Sequence, residues 1–461
     1  MLRLNIDCLI LIFNDVRDKN SLHSCLLANR EWCRLVVPIL WNNFSWCNED
    51  EDESIFFDMI LSLLPSSSRQ YLSNNRIKLP PSILSKPPFF NYISFCKFPE
   101  ADAIKRITEM VLDFNNYDNK KKNLLEQEIY KLFVSQCNNV KELNWTNSQP
   151  LSLFPGASTC FSQLHSLFID PNSVNSNALY QISKFCRYLN TLIIYNCSQD
   201  LPELVSLIDS QRNLKNVKIY SDNDLRRNYK KLSEALARKS NTIKHLHLNL
   251  LTESPSLSLD NLTVLSISGW YTDDEIRGFQ HYLSVLKFPD LQSLYVTGSI
   301  YTYDLATLIR KTNGNISRAF FNGINKEDIV ILIHAIANNC RKIEILHMNL
   351  NPRRLILLLS NCKNLVEINL SHDYTDDDSS SGDDLLNILA DYSPKSLTNI
   401  TISSSTFSAR VLDQFFESFR KKPLNYFHVK NTYYYLDKYE DIVRKFINEG
   451  IVKYSNICPY S

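Results

Sequence analysis

Short apolar stretches with a fixed internal spacing recur along most of the chain. Each has an apolar residue, two variable residues, a second apolar residue, one variable residue and a third apolar residue, with Ala319 a weak match. Twelve stretches fit: VKELNW (140–145), LHSLFI (164–169), LNTLII (189–194), LKNVKI (214–219), IKHLHL (243–248), LTVLSI (262–267), LQSLYV (291–296), ISRAFF (316–321), IEILHM (343–348), LVEINL (365–370), LTNITI (397–402) and LNYFHV (424–429). Because side chains alternate along a β-strand, apolar residues two apart predict a short strand with one buried face.

Segments with helical periodicity lie between these stretches, for example NLLEQEIYKLFVSQC (123–137) and KEDIVILIHAIANNC (326–340). The repeating unit is therefore a strand and a helix, and its length of about 26 residues lies within the roughly 20–29 residues typical of leucine-rich repeats. One unit cannot bury both its strand face and its helix face, so neighbouring units must stack. The sequence predicts an α/β fold over residues 124–461: a leucine-rich-repeat solenoid of about 12 repeats, with a parallel sheet on the concave face and the helices outside.

Residues 1–45 lie outside the repeat and form a separate helical pattern. Apolar residues with helical spacing mark a first helix at Leu9, Ile12, Phe13 and Val16. The segment DKNSL (18–22) interrupts it, with Asn20 or Ser21 as the expected cap of a second helix over about 22–27. A third helix is expected over about 35–41. Three helices in about 40 residues bury little apolar surface, so we expect this unit to pack against a partner.

This N-terminal segment resembles an F-box. That motif opens with Leu-Pro, runs through Ile-Leu-x-x-Ile-Phe to Leu and Val-Cys-x-x-Trp, and often ends in Pro-x-Leu-Trp. The residues that fall into register are Leu4, Ile6, Leu9, Ile12, Phe13, Leu22, Cys25, Leu27, Arg30, Trp32, Pro38, Leu40 and Trp41. Two positions depart from the motif: Asn5 replaces the usual proline, and Asn29 stands where cysteine is common. An F-box followed by leucine-rich repeats is a recurrent pairing, and the chain resembles the fungal set of such proteins.

The resemblance implies a substrate-recognition adaptor of an SCF-type (Skp–cullin–F-box) ubiquitin ligase. The F-box would dock onto a Skp-type linker and through it a cullin, while the repeats would bind an unknown protein substrate. The residues expected to bind the linker are Leu4, Ile6, Leu9, Ile12, Phe13, Trp32, Leu40 and Trp41. Two alternatives stay open. The tryptophans could pin a helical cap onto the repeats, and the chain could be a leucine-rich-repeat scaffold or inhibitor outside any ligase.

Residues 46–123 are expected to link the F-box to the solenoid and to cap it. NEDEDE (48–53) is expected to be a solvated acidic turn, and SIFFDMILSLL (54–64) has helical periodicity. Two Pro-Pro pairs in LPPSILSKPPFFNYISF (79–95) predict extended or turn structure. A further acidic stretch, DDDSSSGDD (376–384), is expected to be an exposed loop between a strand and a helix.

The strand residues between the apolar positions point to the opposite face of the sheet. The candidate substrate-binding residues on this predicted concave face are Phe168, Tyr195, Tyr220, His247, Tyr295, Phe320 and His347. Aromatic side chains that gain no core burial are candidate binding hot spots, although β-propensity favours aromatic residues on any strand face. His245 and His247 could chelate zinc only with a third ligand, and the neighbouring strands offer Lys, Tyr and Ser there, so no metal is expected.

Composition narrows the class of partner. Lys and Arg total 50 against 49 Asp and Glu, so electrostatics favour neither nucleic acid nor a membrane as the partner. The 12 cysteines form no CxxC pair, and several fall where a helix is expected to end, which predicts reduced, buried thiols in an intracellular protein. We expect the cytoplasm, the nucleus or both.

Neither targeting nor catalytic motifs change this interpretation. The apolar stretch Cys8–Phe13 is short and lies between Asp7 and Asp15, unlike a signal peptide, and no window approaches the ~20 apolar residues of a membrane span. The sequence contains no GxSxG, no HExxH and no glycine-rich phosphate loop. We therefore expect a non-catalytic subunit without a cofactor.

Overall fold

The fold is taken from a computed structural model of the chain. The residues that the structure describes are 4–42, 53–80, 88–112, 118–138, 140–197, 200–220, 230–249, 259–269, 286–298, 300–324, 329–371, 382–403, 407–430 and 437–458. The predicted acidic turn at 48–53 falls almost entirely outside them, as do residues 81–87 of the Pro-Pro segment. Residues 376–381 of the predicted acidic loop also lie outside them, whereas Gly382, Asp383 and Asp384 begin a helix. The chain divides into two compact units: Met1–Cys197 with Leu201–Leu214, and Ser198–Asp200 with Lys215–Ser461.

The first unit opens with three short helices, α1 (Ile6–Asp15), α2 (Lys19–Ala28) and α3 (Arg30–Asn42). Their shared core consists of Leu9, Phe13, Leu22, Val36 and Ile39. The expected cap of α2 was wrong by two or three residues. Asp18 is the N-cap. Its carboxylate accepts hydrogen bonds from the backbone N–H groups of Asn20, at 3.3 Å, and Ser21, at 2.8 Å, two of the groups that the first turn leaves unpaired.

Helices also dominate the segment between this trio and the first strand. They are Glu53–Ser62, Ser66–Asn74, Ala101–Val111 and Asn119–Gln136, with a 3-10 turn at Tyr92–Phe95. The ring of Trp41 at the end of α3 stacks on Phe56, with centroids 4.7 Å apart, and packs at a tilt against Tyr92, with centroids 4.4 Å apart. Trp32 instead packs edge-on against Phe13 at 5.1 Å, inside the trio. Trp32 therefore packs within the three helices, whereas Trp41 packs between them and the segment that follows.

The strands run parallel and follow chain order within each unit. The first unit holds β1 (Glu142–Trp145), β2 (Ser166–Ile169) and β3 (Thr191–Ile194). The second unit holds β4 (Asn216–Tyr220), β5 (His245–Asn249), β6 (Val264–Ser268), β7 (Ser293–Thr297), β8 (Arg318–Asn322), β9 (Ile345–Asn349), β10 (Glu367–Ser371), β11 (Asn399–Ser403), β12 (Leu424–Lys430) and β13 (Val452–Ser455). Each of the twelve predicted stretches overlaps a strand, whereas β13 was not predicted.

Helices connect successive strands, as the repeat predicts. Those described in the first unit are Ala157–Cys160, Ser176–Phe185 and Pro202–Ser210, with a 3-10 turn at Leu151–Leu153. Those described in the second are Lys230–Ala237, Thr302–Arg310, Ile329–Asn339, Pro352–Asn361, Gly382–Tyr392, Ala409–Ser418 and Asp437–Asn448. A parallel sheet in chain order with intervening helices confirms the predicted α/β leucine-rich-repeat architecture.

The inward strand positions form buried columns that continue from strand to strand. Leu265, Leu294 and Ala319 lie opposite one another on β6, β7 and β8, and each is at most 1% exposed. Burial of a Leu side chain stabilises a fold by about 1.5–3 kcal/mol.

Two cysteines belong to the same interior. Cys340 and Cys362 directly follow helix ends, and burial raises the pKa of the Cys340 thiol to about 12 and that of the Cys362 thiol to about 11. Both thiols are therefore protonated packing groups.

Gly298 marks a close approach between two backbones where β6 and β7 end. Its N–H donates to the carbonyl of Asn322, and the neighbouring Gly269 N–H donates to the carbonyl of Thr297. Gly298 has φ +106°, and a β-carbon there would overlap the carbonyl group of Gly269. A side chain at Gly298 is therefore opposed by both backbone strain and overlap.

We predict that Gly298→Ala destabilises the second unit strongly. The overlap with Gly269 forces a backbone shift, so the expected loss is above about 3 kcal/mol, in the range of the most disruptive single substitutions. Gly450→Ala is the matched control, because Gly450 also has positive φ (+73°) but open space around it. Its expected loss is about 1–2 kcal/mol of left-handed strain alone. Urea unfolding of both variants measures the difference, and equal midpoints would contradict the proposed overlap.

Candidate functional site

The outward face of the second unit carries an in-register row of side chains, here called the middle row. It consists of the central outward residue of each strand from β4 to β12: Lys218, His247, Ser266, Tyr295, Phe320, His347, Asn369, Thr401 and His428. Parallel strands lie about 4.8 Å apart, so neighbouring members of such a row come into contact. Four of the predicted substrate-binding residues, His247, Tyr295, Phe320 and His347, belong to this row.

Three of these residues form an aromatic stack on adjacent strands. The rings of Tyr295 and Phe320 are nearly parallel, with an angle of 11° between their planes and centroids 4.5 Å apart. His347 meets Phe320 edge-on at 4.3 Å. All three side chains are partly exposed. The stack is therefore a partly solvated aromatic surface. An apolar group of a partner protein would be desolvated when it packs on these rings.

Glu367 on β10 links this stack to the strands beyond it. Its Oε1 lies 3.0 Å from Nε2 of His347. Partial burial raises the pKa of Glu367, but hydrogen bonds from His347, Tyr426 and Asn399 outweigh it and leave the pKa below its ordinary value. Burial, together with the hydrogen bond and the charge of Glu367, raises the pKa of Tyr426 to about 12. Glu367 is therefore an ionised carboxylate whose hydrogen-bonding capacity is used within the sheet.

Two histidines of the middle row are held in the neutral form. His247 Nδ1 lies 2.7 Å from the hydroxyl of Ser266 and Nε2 lies 3.3 Å from that of Ser268, while the Tyr220 ring packs at 4.8 Å. Burial and then the charge of Lys218 lower the pKa of His247. Burial and then Lys430 likewise lower the pKa of His428, which stacks on Tyr426. Neutral rings in a solvated row suit hydrogen bonding and stacking.

The candidate zinc pair does not form a chelate in this arrangement. His245 is exposed, and both ring nitrogens of His247 lie against serine hydroxyls. Among the residues that the structure describes, no group of three or more His, Cys, Asp and Glu side chains is placed to hold a metal ion.

Three predicted substrate-binding residues lie outside the middle row. Tyr220 is partly exposed at the end of β4 in the second unit, beside His247. The other two lie in the first unit. Phe168 on β2 is half-buried between its register partners Asn144 and Ile193, and Tyr195 directly after β3 is 36% exposed. Phe168 also lines a cavity of about 650 Å³, together with Asn42, Asn144 and residues 94–100. Sequence reasoning missed the 94–100 wall of this cavity, because a Pro-rich linker has no periodicity that places it against a strand.

The predicted linker-binding residues differ in solvent exposure. Leu4, Ile6 and Ile12 are 60%, 48% and 48% exposed. In contrast, Leu9 and Phe13 are one helical turn apart and lie in the shared core of the three helices, so these two hold the helices together and do not face a partner. Trp32, Leu40 and Trp41 are partly buried, and Trp41 packs on Phe56 and Tyr92.

Two further apolar side chains extend the exposed group. Leu11 is 71% exposed and Leu27 is 83% exposed. The five residues here called the apolar N-terminal surface are therefore Leu4, Ile6, Leu11, Ile12 and Leu27. Four of them lie on α1 and α2, and Leu4 lies two residues before α1 begins. Exposed apolar side chains of this kind are candidates for contact with a partner protein.

We predict that His247 makes the second unit less stable in mild acid. The unfolded chain protonates at the ordinary histidine pKa of 6.5, whereas the folded chain resists protonation. Stability is therefore highest above that pH and falls as the pH drops below it, by at most ~1.4 kcal/mol per pH unit for one proton. His247→Gln should flatten the pH dependence of urea unfolding between pH 7.5 and 5.5.

Ser266→Ala is the control for this measurement. It removes a hydrogen bond, worth about 1 kcal/mol, but leaves the histidine half-buried beside Lys218. It should lower stability at every pH while keeping the wild-type slope. A His247→Gln slope equal to that of the wild type would contradict the proposed linkage.

No described helix is both long and apolar enough to cross a membrane.

Comparison with known proteins identifies no family for the chain. No protein-family model and no curated protein matches the chain. Among solved structures, a chain of the yeast structure entitled "Crystal structure of Rad7 and Elc1 complex in yeast" is similar at 15% identity and a TM-score of 0.32, covering 72% of this chain and 90% of that chain. Similarity at this level supports no inference about function.

Proposed function

We propose that this protein is the substrate-recognition adaptor of an SCF-type ubiquitin ligase. The N-terminal helices dock onto a Skp-type linker, and through it the chain joins a cullin. The outward strand face binds a protein substrate. The chain itself carries out no bond chemistry: it holds the substrate close to the enzyme that transfers ubiquitin, which raises the effective concentration of the two reactants. Such a ligase would act in the cytoplasm or the nucleus.

The observation that carries this proposal is the apolar N-terminal surface. Its residues occupy F-box positions (Leu4, Ile6, Ile12 and Leu27) or lie beside them (Leu11), and each is at least 48% exposed. At the same time, the core residues Leu9, Phe13 and Leu22 are at most 8% exposed, so the helices do not need the surface residues for their own packing. Solvent exposure of such side chains is unfavourable unless a partner covers them.

The substrate side of the proposal is supported by the middle row. Aromatic residues are enriched at the centres of protein interfaces, where they contribute a large share of the binding energy. Tyr295, Phe320 and His347 are already stacked on one another, so little side-chain entropy is lost when a partner covers them. The face is thus organised for binding before any partner arrives.

A non-ligase scaffold is the alternative, and Trp41 favours it. Trp41 occupies the last position of the F-box pattern, yet its ring packs against Phe56 and Tyr92 of the following segment. That contact is what a helical cap requires. The exposed residues on α1 and α2 distinguish the two functions, because a cap has no use for them.

We predict that Ile6→Asp with Ile12→Asp abolishes binding to a Skp-type linker. Both side chains are 48% exposed, so the variant should fold normally, while two carboxylates desolvated in an apolar interface should weaken binding more than a hundredfold. Co-purification and calorimetric titration with the linker measure the effect. Far-ultraviolet circular dichroism verifies the fold.

Ile55→Asp is the matched control. Ile55 is also an exposed isoleucine on a nearby helix, at 67%, but it lies outside the F-box pattern. This variant should bind the linker like the wild type. Failure of the intact chain to bind the linker would instead favour the scaffold function.

A further inference from the structure

The outward face of the second unit has an unequal distribution of charge. At the outward strand positions of β4–β12, the described cations are Lys218, Arg318 and Lys430, whereas the described carboxylate is Glu367. Glu367 is already hydrogen bonded to His347, Tyr426 and Asn399. With histidines counted as neutral, three cations against one carboxylate leave these positions at +2, although the whole chain is only +1. The local excess of cations favours an anionic partner.

Arg318 lies where this charge meets the aromatic stack. It is exposed at the start of β8, two residues before Phe320 on the same face, and no described carboxylate pairs with it. Residues two apart on a strand are about 6.6 Å apart. An extended partner segment has the same two-residue repeat. A carboxylate at one position and an aromatic ring two positions along would therefore match Arg318 and the stack together.

We propose that the outward face of β7–β9 binds an extended acidic segment of a partner protein. A carboxylate of the segment pairs with Arg318, and an aromatic side chain two residues away packs on Tyr295, Phe320 and His347. The segment would belong to the ligase substrate if the proposed function holds. The binding itself does not require the linker or the cullin.

The spread of cations favours a protein segment over a nucleic acid. Lys218 on β4 and Arg318 on β8 are four strand intervals apart, about 19 Å. A nucleic acid presents a phosphate at every nucleotide and gains affinity from many simultaneous cation contacts. One arginine beside an aromatic stack fits a single carboxylate with an apolar neighbour.

Four fluorescein-labelled peptides test the proposal with the full chain. The first is Glu-Ser-Glu-Ser-Phe-Ser-Glu-Ser-Glu, the second replaces Phe with Ala, the third replaces each Glu with Lys, and the fourth replaces each Glu with Gln. Fluorescence anisotropy should show the first peptide binding at least tenfold more tightly than each of the others, with an affinity that falls as salt rises. Equal binding of the four, or no binding of the first at millimolar protein, would overturn the proposal. Tighter binding of a nine-nucleotide uridylate would overturn it in favour of nucleic acid.

Variants locate the site. Arg318→Gln should weaken binding of the first peptide about tenfold and leave the Gln peptide unaffected. Arg341→Gln is the control, because Arg341 is exposed in a turn before β9, off the strand face, and should change binding less than twofold. Phe320→Ala should erase the preference for Phe over Ala in the peptide, and Phe320→Leu serves if the alanine variant folds poorly. Equal effects of the two arginine substitutions would place binding elsewhere and refute the assignment.

The linker separates failure of this inference from failure of the proposed function. Arg318→Gln and Phe320→Ala should bind a Skp-type linker like the wild type. Linker binding without a peptide preference would reject the acidic segment alone. A peptide preference without linker binding would reject the ligase and leave an acidic-segment receptor of another kind.

Discussion

The structure depends on the burial of one apolar face of every strand in the interior that neighbouring repeats share. Leu346, Ile368 and Ile400 lie opposite one another on β9, β10 and β11, and each is 0% exposed. A strand and helix alone would leave such a column in water, so each repeat is stabilised only when the next is in place. Register is therefore fixed by the interior, because a slip of one residue would turn the apolar side chains out to solvent.

The outward face follows from that register and not from its own interactions. Once the buried columns align, the central outward residues must align as well, and rings on adjacent strands come within 4.5 Å, as Tyr295 and Phe320 do. Substitutions on this face need not disturb the interior, so its chemistry can vary while the fold stays constant. Function can therefore be placed on such a face at little cost in stability, apart from desolvated groups such as His247.

The sequence predicts what strand alternation determines and misses what tertiary contacts determine. β1–β12 follow from apolar residues two apart, whereas β13 has Lys453 and Tyr454 exposed and buries only Val452 and Ser455, which is too short a pattern to detect. Alternation also placed Phe320 and its neighbours on one face. It could not pair Glu367 with Tyr426, which lie two strands apart and meet only through the length of the tyrosine side chain.

The two candidate surfaces differ in chemistry, and the difference bears on what each could bind. Leu11 and Leu27 expose aliphatic groups, which are stabilised by burial against a complementary apolar surface but do not discriminate between partners by charge. They therefore suit one constant partner. The face around Arg318 combines charge with aromatic rings, and charge discriminates between partners because a like charge is repelled and an unpaired buried charge is costly. The proposed adaptor function requires such a division of roles, with a constant partner at the helices and a selected one at the sheet.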